Sequence, residues 1–162
     1  MDTALSGRSR IHQHGRMTPA GEPITLDQAN HLIAAALRHG REIDCDPLTV
    51  AVLDPGGHLV ALARQDGSGI ARPDIARAKA WVALGMGFDT RELAARGEQA
   101  PLFVGALTGV TGGRAVPAPG GLLVGDASVD RVRGAVGISG DTSDRDEECA
   151  LHGIEAAGLR RL

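Results

Sequence analysis

The chain has no tyrosine, only two phenylalanines and a single tryptophan among its 162 residues. Proteins that hold unpaired bases stack them on several aromatic side chains, so this scarcity counts against a single-stranded nucleic-acid binder. A basic footprint is missing as well. The 17 Lys and Arg are outnumbered by 20 Asp and Glu, and the formal net charge is -3, which leaves no surface suited to neutralising phosphates. Two cysteines, Cys45 and Cys149, cannot form a disulfide framework and read as reduced thiols of a cytoplasmic protein. No apolar run approaches the roughly 18 residues that a membrane helix needs. The N-terminal segment lacks the apolar core of a signal peptide. The phosphate-binding Gly-Lys-Ser/Thr, a strand-linked Gly-x-Gly-x-x-Gly and the Gly-x-Ser-x-Gly of serine hydrolases are all missing.

What is present is glycine, 23 residues of it, in a chain that is 43% hydrophobic. That composition suits one domain with an aliphatic core, tight turns and close backbone approaches. Residues 1–22 read as a mobile tail, in which Met17 is an alternative start and His12 and His14 are adventitious metal binders at most. Order is expected from Pro23. Thr25 and Gln28 form a capping box, and Leu26, Ala29, Ile33 and Leu37 follow at helical spacing up to Gly40 or Ile43. "LTVAVLD" and "HLVALAR" then flank Pro55-Gly56-Gly57, which predicts a hairpin with Asp54 opposite His58. A helix is expected from Pro73 to about Gly87, with one stripe of Ile75, Lys79, Val82 and Met86 beside another of Ala76, Ala80, Ala83 and Gly87. A short helix follows from Thr90. The stretch "APLFVGALTGVTGGRAVPAPGG" reads as a structured loop with short strands. Leu122–Val124 and Val132–Ser139 form a second hairpin, and a last helix is capped by Thr142 or Ser143 with acids in its first turn. The sum is an α+β domain with an antiparallel sheet.

Four stretches carry a resemblance: "VAVLDPGGHLVALARQDG", "DIARAKAWVALGMG", "TGGRAVPAPGGLLV" and "VRGAVGISGDTSDRDEECALHGIEAAGL". In this order they resemble the GlcG/HbpS family of small haem-binding-type proteins, which is related to the C-terminal domain of PduO. The match runs from about Pro23 to Leu159, so residues 23–162 are taken as the GlcG/HbpS-like domain. The resemblance implies a profilin-like fold, a central antiparallel sheet of about five strands flanked by helices. It also implies homo-oligomers with ligand pockets near subunit contacts, haem or a related tetrapyrrole as ligand in some members, and a link to corrinoid metabolism or catabolic gene clusters. The family's usual Asn-Gly-Gly stands here as Thr111-Gly112-Gly113, without the asparagine amide.

Several residues are candidates for chemistry. His58 is either an axial haem ligand or general base oriented by Asp54, or simply a histidine at the entry of a strand. His31, His39 and His152 are weaker alternatives. Lys79 interrupts an apolar stripe, so it either snorkels, pairs with Asp146 or Glu147, or meets a bound anion. In the sharper version Arg72, Lys79 and Arg114 converge as cations on a carboxylate ligand, with the haem propionates as one example. Gly112 and Gly113 either form an anion-binding nest with Arg114 or only shape a turn. Cys149 and His152, at i and i+3 of the last helix, are read as packing rather than as half of a zinc site. The leading expectation is a small-ligand-binding protein that takes haem. The alternative is an enzyme acting on a small unsaturated or oxo carboxylic acid, with His58, Asp146 or Glu147 moving the proton.

Overall fold

A computed structural model describes residues 18–162. His12, His14 and Met17 lie outside the described residues. Among the described residues, five helices and five strands follow in the order α1 (Leu26–Glu42), β1 (Thr49–Leu53), β2 (Leu59–Arg64), α2 (Arg72–Met86), α3 (Thr90–Gln99), α4 (Pro101–Val110), β3 (Gly121–Gly125), β4 (Val132–Ser139), α5 (Ser143–Ala156) and β5 (Arg160–Arg161). They form one α+β domain. The sheet is antiparallel throughout, with strand order β2-β1-β4-β3-β5.

Hydrogen-bonded structure begins earlier than Pro23, the expected boundary of the tail. Ala20 pairs with Val132, the Val132 N–H donates to the Pro19 carbonyl, and the Gly21 N–H donates to Val132. The start of α1 is as its sequence predicts. The Gln28 N–H donates to Thr25 Oγ1 and the Thr25 N–H to Gln28 Oε1, so both ends of the capping box close.

Both faces of the sheet are covered. Val50, Val52, Leu122, Val124, Val136 and Ile138 pack with α1 and α5 through Leu32, Ala36, Ala150 and Ile154. The alternate residues Leu53, Leu123 and Ala135 turn to the other side and pack on Ala80 and Ala83 of α2. This explains why the strands alternate only weakly in sequence: every residue of β1 and β3 is buried. α2 lies directly on the backbone of β4 and β3. A Cβ at Gly137 would stand 1.9 Å from the Ala76 carbonyl oxygen, and one at Gly121 would stand 2.4 Å from that of Lys79. The alanine stripe of α2 and these glycines are two halves of one close contact.

One expectation needs correcting. The stretch after Ala100, read as a loop with short strands, contains the helix α4. Pro101 occupies its first turn, where its fixed φ suits a helix. Gly105 and Gly109 lower its propensity by about 1 kcal/mol each. Both face open space, and burial of Val104 and Leu107 beside Leu93 supplies the offsetting contact. Tertiary packing thus decides a segment whose glycines argue for a loop. β5 was also missing from the pattern, because two residues are too few to show a period.

Candidate functional site

The hairpin between β1 and β2 is organised by Asp54. Its Oδ1 accepts the N–H groups of Gly56 and His58 at 2.9 and 3.0 Å, and the Asp54 N–H donates to the His58 carbonyl at 2.9 Å. Asp54 and His58 therefore stand opposite each other, as the three-residue turn demands. Nδ1 of His58 lies 3.3 Å from Asp54 Oδ1, while the imidazole is 82% exposed. With the proton on Nδ1, that pair leaves Nε2 as a free lone pair facing solvent. Burial alone would raise the Asp54 carboxyl, but the two backbone N–H groups and the imidazole outweigh it and hold it below its ordinary value.

Beside this turn lies a cleft of about 320 Å³, at the lower end of the roughly 300–1,000 Å³ typical of ligand sites. Leu53 and Gly57 of the hairpin form one side. Asp74, Arg77, Ala78 and Trp81 of α2 form the floor, and Gly112, Gly113 and Arg114 form the far wall. Gly57 is pressed against the indole: a Cβ there would be 3.2 Å from Trp81 Cδ1 and Nε1. The Arg114 guanidinium lies over the Trp81 ring at 4.2 Å from its centroid, a cation–π contact. Its Nε donates to the Thr111 carbonyl at 2.9 Å. The Thr111 hydroxyl donates to Leu107 at 2.6 Å, so this threonine closes the end of α4 rather than reaching into the cleft.

Of the three cations expected to converge, Arg72 and Lys79 lie near one another and near Asp146, while Arg114 stands apart from them. Only Arg114 lines this cleft, together with Gly112 and Gly113. Lys79 is 3% exposed and turns away, towards α5, where its ammonium donates to Asp146 Oδ2 at 2.9 Å and to the Ile138 carbonyl at 2.8 Å. Burial pushes the Lys79 ammonium down and the Asp146 carboxyl up, and each is pulled back by the other's charge. Arg72 donates to Ser139 Oγ at 3.1 Å. Glu147, 4% exposed, is held by Arg91 and lies 3.6 Å from Arg161. Arg161 in turn pairs with Asp89, whose other oxygen accepts the Leu123 N–H at 2.8 Å. Asp146 and Glu147 thus sit in a network of ion pairs that ties α2, α3 and β5 to α5, of which Lys79–Asp146 is buried on both sides while Arg91 and Arg161 reach Glu147 and Asp89 from the surface; neither acid lines the cleft. The separation has a simple cause. Lys79 and Trp81 are two residues apart on one helix, so their side chains leave it in different directions.

Of the remaining candidates, His31 is exposed on α1, while His39 and His152 are half-buried. His39 and His152 stack at 4.2 Å between centroids, and His39 Nε2 lies 3.0 Å from Glu148 Oε1. Among the described residues no cluster of three or more His, Cys, Asp or Glu is arranged to hold a metal ion. None of the described helices is long and apolar enough to cross a membrane.

Sequence reasoning missed Asp74, Arg77, Ala78 and Trp81. The signal was there: the four recur at i, i+3, i+4 and i+7 and form a third stripe of α2, beside the two that were read. Nothing local marks it as a cleft floor rather than a solvated face, because that depends on where the hairpin and the 111–114 loop come to lie.

The sequence model of a family described as haem degrading protein HbpS-like matches residues 24–155, most of the chain. The chain belongs to the HbpS-like family. Its fold is also similar to that of solved structures. A complex of PduOC with heme superimposes with a TM-score of 0.75 at 24% identity, covering 85% of this chain and 96% of the other. The Klebsiella pneumoniae protein ORFY gives 0.74 at 25% identity, over 88% and 95%. HbpS itself gives 0.71 at 27% identity, over 87% and 94%. No curated protein compared with the chain matches it. This HbpS-like chain therefore shares its overall fold with those structures.

Proposed function

We propose that this HbpS-like protein binds haem, or a related tetrapyrrole carboxylate, at the cleft between the hairpin turn and the 111–114 loop. The observation that carries this reading is the donor set of the cleft. An apolar wall of Trp81, Leu53 and Ala78 is flanked by Arg77 and Arg114. Arg91, Arg96, Arg133, Arg145, Arg160 and Arg161 are all in ion pairs. Arg77 and Arg114, like Arg41, Arg64, Arg72 and Arg131, have no carboxylate within ion-pair distance among the described residues, but of these only Arg77 and Arg114 line the cleft, where Asp74 is the one carboxylate. Guanidinium forks match carboxylates, and an indole face matches a flat conjugated ring. His58, next to Gly57 of the cleft wall but outside the lining itself, is the candidate axial ligand. Its Nδ1 is held by a carboxylate, the usual arrangement for a metal-binding imidazole, and its Nε2 is free. When bound, the haem iron would supply ligand-binding or redox chemistry. The chain's part is to orient His58 through Asp54 and to hold the carboxylates on Arg77 and Arg114.

The test is a titration of the purified apo-protein with haemin, followed by absorption. A saturable Soret shift, lost or displaced in His58→Ala, is the expected result. No saturable shift, or wild-type spectra from His58→Ala, counts against haem ligation by that residue.

The same reading includes a homo-oligomer. α4 carries no charged residue and presents Leu102, Phe103 and Val110 to solvent at 90%, 56% and 83% exposure. An apolar face of this kind supports coverage by a second copy. Light scattering of the wild type and of a Leu102→Asp, Val110→Asp variant measures it. A monomeric wild type ends that part.

A further inference from the structure

The lining of the cleft holds one carboxylate, Asp74, but no imidazole, thiolate, thioether or phenolate of the kind that ligates haem iron. His58 lies next to Gly57 but does not line the cleft. What the cleft does contain is a flat cation already stacked on a flat ring. The Arg114 guanidinium lies 4.2 Å from the Trp81 centroid, and its residue follows two glycines with φ of 62° and 82°. A Cβ at Gly112 or Gly113 would meet nothing within 4 Å, while the Gly113 N–H donates to the Thr108 carbonyl at 2.7 Å and the Gly112 N–H to that of Gly109 at 3.3 Å, so the backbone here is tied to α4 and the Arg114 side chain is the part free to move. Arg77, one turn before Trp81 on α2, waits on the same floor.

From this we infer that Arg114 is a gate and that the cleft recognises a flat, conjugated carboxylate whether or not it carries a metal. The ligand's ring takes the guanidinium's place on Trp81. The Arg114 side chain gives up its bond to the Thr111 carbonyl and swings off the indole, and the released guanidinium joins Arg77 on the ligand's carboxylates. Recognition then comes from stacking and charge, which a metal-free macrocycle supplies as well as its iron complex does. This inference rests on the reading of the cleft as the ligand site and adds that the metal is dispensable for recognition there.

The protein reports on itself, because Trp81 is the only tryptophan in the chain. The full-length protein is titrated with metal-free protoporphyrin and, separately, with haemin, following indole fluorescence. Arg77→Gln and Arg114→Gln are titrated alongside. The expected result is saturable quenching by both ligands, with metal-free protoporphyrin weakened at least tenfold in each variant. Should one variant fail to fold, the other still decides. Haemin binding without protoporphyrin binding overturns the inference and leaves the haem reading standing. Protoporphyrin binding that both variants leave unchanged also overturns it, since the ligand then sits elsewhere. Failure of both ligands removes the haem reading and the inference together.

Discussion

The ammonium of Lys79 lies 2.9 Å from Asp146 Oδ2, and this one buried pair joins α2 on one face of the sheet to α5 on the other. Both groups are almost fully buried, and each has a further backbone partner, Ile138 for the lysine and Asp141 for the aspartate. Lys79→Met removes one charge and strands the other, a loss of about 3–5 kcal/mol. Lys79→Met combined with Asp146→Leu removes both and is expected to recover most of that loss. Urea unfolding of the two variants measures it. A double variant no more stable than the single one shows that the pair is not the source of the effect.

Gly137 is where α2 touches β4. Gly137→Ala would place its Cβ within 1.9 Å of the Ala76 carbonyl oxygen, and neither element can retreat without opening the core. The expected cost is about 3 kcal/mol or more, at the upper end of overpacking substitutions. Thermal unfolding reads it. Gly105→Ala on α4 is the contrasting case. That position is open, so the substitution should raise stability by up to about 1 kcal/mol through helix propensity.

Cys149 gives the fold an alkaline limit. Burial, reinforced by the neighbouring Cys45, pushes its thiol up from 9.0 to about 12. The folded value is raised, so the contribution is fully present below the unfolded value and is lost as pH climbs through the folded one. Between pH 9 and 11 the unfolded chain releases this proton and the folded chain keeps it. Stability should fall by about 1.4 kcal/mol per pH unit from this group. Comparing the pH dependence of urea midpoints for wild type and Cys149→Ala isolates it. Identical slopes above pH 9 would contradict the assignment.

Asp54 organises the hairpin next to the cleft. Asp54→Ala leaves the Gly56 and His58 N–H groups without their acceptor and should cost about 1 kcal/mol. Asp54→Asn keeps an acceptor and should cost less. The carboxyl is held below its ordinary value, so its contribution is present above the unfolded value near 3.8 and is lost as pH falls through the folded one. Acid unfolding of Asp54→Asn should therefore begin less steeply than that of wild type. A superimposable acid transition would remove Asp54 from the account.

Much of this protein was legible from residue order alone. The Thr25–Gln28 capping box, the Asp54-Pro55-Gly56-Gly57 turn and the run of β4 depend on neighbours within a few positions, and local chemistry settles them. Lys79 was visible too, as a charge on an apolar stripe that has to find a partner, and Asp146 was among the partners named for it. The helix α4 was not, because its two glycines count against a helix and only the packing of Val104 and Leu107 beside Leu93 tips the balance. The cleft was not either. Gly112, Gly113 and Arg114 were singled out, but Trp81 and Arg77 were passed over, and Arg72 and Lys79 were expected where they do not lie. Which stripe of α2 meets the sheet, which packs beside α3 and α4 and which is left to line a cleft is decided only when the glycines of β3 and β4 let the helix settle onto the sheet, because that contact sets its rotation and so the direction in which every side chain on it points.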